Sequence, residues 1–183
     1  MGRIEKGLSK SCKFREYFLM IFVTVGTHEQ PFDRLVKYMD KWAEIHKEVV
    51  IIQTGFSTYK PKNCVWKKML PYNDMKKYIS EARLVITHGG PSSFIMPLQI
   101  NKIPIVVPRK KDFSEHINNH QLEFARVVAS RQGNIIVVEN VNDLENIIEK
   151  YDNIIKKMND GMHSNNERFC ADFEKIIDKM VNG

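Results

Sequence analysis

Short apolar runs and longer amphipathic stretches alternate along the chain once its first nineteen residues are passed. Apolar and β-branched residues run almost unbroken at 21–25, 49–53, 84–87, 103–107 and 135–138, with a shorter pair at 65–66. Runs of this length, ended by turn residues, predict strands buried on both faces, since a strand with one wet face would alternate polar and apolar positions. Between them the period changes to that of a helix. Phe32, Leu35, Val36, Met39, Trp42, Ala43 and His46 recur at three- and four-residue steps and form one apolar stripe. The same spacing predicts helices at 74–80 through Met75, Tyr78 and Ile79, and at 120–130 through Leu122, Ala125, Val128 and Ala129. Two more are predicted at 141–158, on Leu144, Ile148 and Tyr151, and at 165–180, on Phe169, Phe173 and Ile177. Residues 56–63 are polar and proline-bearing and read as a loop. The alternation predicts an α/β fold: a single Rossmann-like, doubly wound parallel sheet over 20–183.

The strand at 84–87 runs into His88, Gly89 and Gly90, where the chain turns sharply without Cβ atoms in the way. Pro91 suits the first turn of a helix, and Ser92 and Ser93 add hydroxyls beside the free N–H groups of that turn. A strand, a glycine turn and a helix N-terminus make an anion site, and the expected anion is a phosphate. The next strand closes with Pro108 and the basic trio Arg109, Lys110 and Lys111, at the same carboxyl edge of the sheet. Glu115, His116, Asn118, Asn119, His120 and Gln121 follow, a density of hydrogen-bonding groups suited to a polyhydroxylated ligand. Gly26 and Thr27 turn the first strand, and Gly55 the second. Thr27 either caps the following helix or meets a phosphate. There is no Asp-x-Asp pair, so the two glycine turns with Arg109 or Lys110 are expected to hold a diphosphate without a metal ion and without a cofactor.

Length and composition narrow the picture. One α/β domain fills 183 residues, and two do not fit. The net charge of +6 includes a basic leader, 1–19, with Arg3, Lys6, Lys10, Lys13 and Arg15. That leader is expected to be a disordered tail, with a membrane-surface segment or an upstream start as alternatives. No nucleic-acid-binding signature accompanies the charge. Cys12, Cys64 and Cys170 are odd in number and far apart, which argues for reduced thiols in a cytoplasmic protein. No apolar run is long enough to span a bilayer.

The run from Thr87 to Ser93, His88-Gly89-Gly90-Pro91-Ser92 at its centre, together with Asn119-His120-Gln121, resembles the nucleotide-sugar-binding half of GT-B glycosyltransferases of the MurG type, the family 28 C-terminal domain. The resemblance is closest to the small catalytic subunits of two-part capsular, exopolysaccharide and dolichol-pathway enzymes. It implies an inverting transfer from a UDP-sugar to a lipid-linked saccharide, with the opposite wall of the cleft on a membrane-anchored partner that holds this chain at the inner membrane face. It further implies His88 beside the phosphates or the sugar, and Asn119, His120 and Gln121 on the sugar, with Gln121 foremost. Glu115 and His116 are either sugar contacts or a plain helix start, and Tyr72 is either a neighbour of the base or ordinary packing. The family's ribose-binding glutamate is replaced by Met96, so either the ribose is held otherwise, with Glu115 as the candidate, or nucleotide recognition has shifted. His28 and Glu29, on the first loop, are the candidates for the general base. The face from Phe169 to Met180 either docks the partner or packs on the domain's own sheet. A UDP-sugar epimerase and a nucleotide-sugar-binding regulator are the rival readings.

Overall fold

The computed structural model describes residues 19–158. The expected leader before Leu19, the helix at 165–180 and its docking face lie outside the described residues. Six strands, Met20–Thr24 (β1), Val49–Gln53 (β2), Val65–Lys67 (β3), Leu84–His88 (β4), Ile105–Val107 (β5) and Ile136–Val137 (β6), form one sheet in the order β3-β2-β1-β4-β5-β6. Every pairing is parallel, and Phe22 stands level with Ile51 on one side and Val85 on the other.

Successive residues of a strand point to opposite faces, so apolar residues at adjacent positions require cover on both. Ile21, Val23, Ile52, Ile86 and Ile105 meet helices Asp33–Ile45 (α1) and Leu144–Ile155 (α5), through Leu35, Met39, Trp42, Leu144, Ile148 and Tyr151. On the other face Phe22 and Val85 meet Ile79 of Tyr72–Glu81 (α2). Val106 meets Phe94 and Leu98 of Pro91–Leu98 (α3) and Ala125 of His120–Gln132 (α4). The sheet is therefore doubly wound, as expected. Its order reverses between β1 and β4, and in such sheets ligands sit at the carboxyl ends of the strands flanking that reversal.

Several element boundaries differ from the expected ones. The fifth strand begins at Ile105 and not at 103, because Pro104 has no N–H to give a ladder; its carbonyl still accepts from Ile136 (3.0 Å). The helix expected at 141–158 opens with a separate 3-10 turn, Val141–Asp143, capped by the side chain of Asn140. α2 starts two residues earlier, at Tyr72, behind an extended Pro71.

The loop after β2 is tied to α1 by two aspartates. Burial alone would raise the Asp40 carboxyl, but hydrogen bonds from the Tyr59 hydroxyl and the N–H groups of Asn63 and Lys62 outweigh it and hold it below the ordinary carboxylate value. Cys64, beside it, is a free thiol pushed up to about 12 by burial and by that carboxylate. No helix among the described residues is long and apolar enough to cross a membrane.

Candidate functional site

The loops leaving β1 and β4 face each other across a crevice of about 390 Å3, lined by Thr24, Gly26, Thr27, His28, Gln53, Leu70, Met75, His88, Ser92, Ser93, Met96 and Gln121. His88, the last residue of β4, is clamped between the two glycine turns. A Cβ on Gly26 would stand 2.3 Å from its Cε1, and one on Gly90 2.4 Å from its Nε2. Gly26 also has φ +76°, a left-handed conformation that a side chain resists. The turn is held from below. Thr24 Oγ donates to Gln53 Oε1 and accepts from Gly26 N–H (3.3 Å), while Gln53 Nε2 donates to Gly26 O (3.4 Å).

Gly90 is the N-cap of α3 and Pro91, which has no N–H, its first residue; Ser93 N–H turns back to Gly90 O (3.0 Å), so Ser92 N–H is the first-turn donor left for a ligand, beside the Ser92 and Ser93 side chains that line the crevice. Gly89 N–H is not such a donor. It donates to Gln121 Oε1 (3.1 Å), which also accepts from Arg109 N–H (3.3 Å). Two backbone donors thus fix the orientation of the Gln121 amide, and its NH2 is left to donate into the crevice. Gln121 packs so closely on Gly89 that a Cβ there would lie 2.8 Å from its own Cβ.

The crevice lining contains no lysine, arginine or carboxylate. Its polarity comes from the α3 N-terminus, hydroxyls, the amides of Gln53 and Gln121, and two imidazoles. Burial and then the neighbouring Arg109 charge push His88 down to about 4, against a smaller opposing effect of the Thr24 backbone, and its Nδ1 has no hydrogen-bond partner. His88 is therefore neutral at physiological pH, a ring that shapes the turn and carries no charge. Burial, then Arg109 and His116, also lower His28. The His28 and His116 rings lie 4.8 Å apart, and His28 Nδ1 accepts from Gln30 N–H (3.2 Å).

The depressed His88 value has a consequence for stability. The unfolded chain binds a proton near 6.5 and the folded one only near 4, so stability is full above about pH 6.5 and falls as the pH drops toward 4. The loss attributable to this ring is about 3 kcal/mol. A His88→Asn variant is expected to lack that part of the acid limb when urea midpoints are compared at pH 7 and pH 4.5. An unchanged limb would mean that the ring is not buried as described.

Arg109 and Glu115 are placed otherwise than their expected ligand roles require. Arg109 is wholly buried. Its guanidinium donates to the carbonyls of Val25 (2.9 Å), Gln30 (2.7 Å) and Glu115 (3.1 Å), and it lies 4.9 Å over the Phe32 ring. It braces the β1 loop from behind and does not line the crevice. Glu115 receives Arg34 through both oxygens (2.9 Å each) and Lys110 N–H (3.0 Å), and at 3% exposure it has nothing to offer a ribose.

Other expected residues spread around the opening. Glu29 is exposed and lies outside the lining, whereas His28 lies in it. Tyr72 is 65% exposed, and Leu70 and Met75 on either side of it face the crevice in its place. Gly55 supports Gly26 from outside. Asn119 Oδ1 accepts from Lys111 N–H (2.9 Å), and the exposed His120 pairs with Glu123 (3.4 Å). His116, His120 and Gln121 line a second hollow of about 590 Å3 with Gly89, Gly90, Pro91, Phe124 and Val127. Gln121 and the Gly-Gly turn form the partition between the two spaces. Thr24, Gln53 and Arg34 carry no signal along the chain that would have singled them out as site residues.

A parallel sheet whose switch point opens between a left-handed glycine and a helix N-terminus defines a Rossmann-like domain, with the opening where such sheets take their ligands. The glycosyltransferase family 28 C-terminal domain matches residues 20–180, and the chain belongs to that family. No curated protein matches it in sequence. Among solved structures, the glycotransferase of kitacinnamycin superposes with a TM-score of 0.57 at 15% identity, over 82% of this chain and 38% of that one. The glycosyltransferase SnogD from Streptomyces nogalater gives 0.45 at 16% identity, over 66% and 31%. The chain thus spans well under half the length of these proteins.

Proposed function

We propose that the crevice binds a UDP-sugar and that the chain is the donor-binding, catalytic subunit of an inverting glycosyltransferase. One observation carries the reading: the α3 N-terminus and the Gly26 turn converge on a single space at the switch point. Apolar Leu70, Met75 and Met96 border that space, and the free amide of Gln121 borders it too. The diphosphate lies on the α3 donors, the nucleoside against the three apolar side chains, and the hexose toward Gln121 and the second hollow. A membrane-anchored subunit supplies the facing wall and a lipid-linked acceptor in capsule or exopolysaccharide synthesis, and it keeps this chain at the cytoplasmic membrane surface. Membership of the family 28 C-terminal domain supports the donor-binding part of this reading.

Turnover needs no metal ion, because no carboxylate lines the crevice. Among the described residues, the one grouping of ligand-type side chains close enough to share an ion is His46, Glu145 and Glu149, outside that lining.

A panel of UDP-sugars tested for protection against thermal unfolding decides the reading, since a ligand selective for the folded state stabilises by mass action. One member is expected to raise Tm in the presence of excess chelator. Absence of protection by UDP and by every UDP-sugar would defeat it, and protection restored only by a divalent ion would defeat the metal-independent part.

A further inference from the structure

A hollow of about 240 Å3 adjoins the crevice, lined by residues 54–60 with Trp66 and Lys68. Gly55 belongs to its wall and Gly26 to the crevice, and a Cβ on Gly55 would stand 2.4 Å from the Gly26 carbonyl oxygen. One thickness of backbone separates the two spaces.

The loop that forms this hollow is held more firmly than a surface connection needs. Asp33 of α1 accepts the N–H groups of Thr58 (2.8 Å) and Tyr59 (3.1 Å) and also the Thr58 hydroxyl. The buried Asp40 accepts the Tyr59 hydroxyl (2.7 Å) and the N–H groups of Lys62 (2.9 Å) and Asn63 (2.7 Å). Ser57 Oγ accepts from Phe32 N–H (3.2 Å). On the other side, Thr54 and Gly55 N–H donate to the carbonyls of Lys67 and Lys68 (2.9 Å each).

The loop's own polar side chains are thereby turned to α1. What faces the hollow is aromatic and cationic. Phe56 and Trp66 are each 38% exposed, and the Lys68 ammonium stands 4.8 Å over the Phe56 ring. Lys60 is exposed, and no carboxylate among the described residues comes within ion-pair distance of Lys60 or Lys68. Two aromatic rings fixed at the surface beside unpaired cations do nothing for the core and mark a binding surface. An aromatic face accepts the C–H face of a sugar ring, and an ammonium meets phosphate as a point charge. The volume lies below the range of about 300–1,000 Å3 of pockets for larger ligands, which leaves room for one ring and not for a nucleotide.

We propose that this hollow is a sugar-phosphate site, with the ring on Phe56 and Trp66 and the phosphate at Lys60 and Lys68. Resting on the transferase reading, it is where the phosphate-bearing end of the acceptor is held next to the donor.

The chain carries its own probes. Trp66 lies in the hollow, and the other tryptophan, Trp42, is buried in the core at 4% exposure. Glucose 1-phosphate is titrated into the full chain, with and without UDP in the crevice, while the two indole N–H resonances are followed. Trp66 is expected to shift saturably and Trp42 to stay still. Glucose alone and inorganic phosphate alone are expected to bind at least about fivefold more weakly, and Lys68→Ala to weaken glucose 1-phosphate by about tenfold. Thermal protection by UDP should be unchanged in Lys68→Ala, which also shows that the variant is folded.

No Trp66 shift, an equal response to phosphate alone, an unaltered affinity in Lys68→Ala, or a shift that follows chain concentration and not sugar would each overturn the site. The two readings fail separately. A Trp66 response without any UDP protection removes the donor crevice and leaves the sugar-phosphate site, and UDP protection without the response does the reverse.

Discussion

Gly26→Ala is expected to lower the affinity for UDP by at least about 100-fold in a chain that still folds, a loss on the scale of a 1 Å misplacement of binding groups. Two independent effects act at this position. The φ of +76° costs a side chain roughly 1–2 kcal/mol, and the new methyl group would stand 2.3 Å from His88 Cε1. The ring has nowhere to retreat, because Gly90 closes on its far side at 2.4 Å from where a Cβ would be. The β1 turn must therefore move out into the space the diphosphate needs. Overpacking of this kind adds about 1–3 kcal/mol of destabilisation, so the urea midpoint should fall as well. UDP affinity measured by calorimetry checks the larger effect. Near-normal binding in the folded variant would show that the turn does not border the ligand.

Arg109→Met is expected to cost about 3–5 kcal/mol of folding stability, the scale of breaking a buried, hydrogen-bonded ionic group. Burial lowers the guanidinium to about 10 and the Glu115 charge partly restores it, so it is charged at neutral pH. Its removal strands the carbonyls of Val25, Gln30 and Glu115. Those acceptors belong to the loop after β1 and the loop after β5, and one planar fork reaches both. Arg109→Lys should recover only part of the loss, since a single ammonium cannot span acceptors set out for a guanidinium. Urea denaturation of the three proteins measures the series. An unchanged midpoint in Arg109→Met with lost UDP binding would return this residue to the direct phosphate contact expected of a cation in that position.

The two substitutions divide the site between a ligand-facing side and a bracing side. His88 stands between them, too buried to charge and too tightly clamped to move. For the proposed donor, whose crevice has no lysine or arginine in its lining, this arrangement leaves the helix N-terminus and hydroxyls to meet the anion, with the cation one layer behind holding the loop in place.

What the chain determines by itself is local. Continuous apolar runs specified strands covered on both faces, a stripe of seven residues specified α1, and the Gly89-Gly90-Pro91 turn specified a helix N-terminus, because each depends on neighbours within a few positions. Strand order and the commitments of the charged side chains depend on partners far along the chain, and these only the tertiary structure decided. Arg109 reads as a cation beside a phosphate turn until Gln30 and Val25 are found 79 and 84 positions away, and Glu115 reads as a ribose ligand until Arg34 closes on it from 81. A side chain's charge is written in its sequence, but whether that charge faces a ligand or a neighbouring loop is set by burial, which is a property of the packed whole.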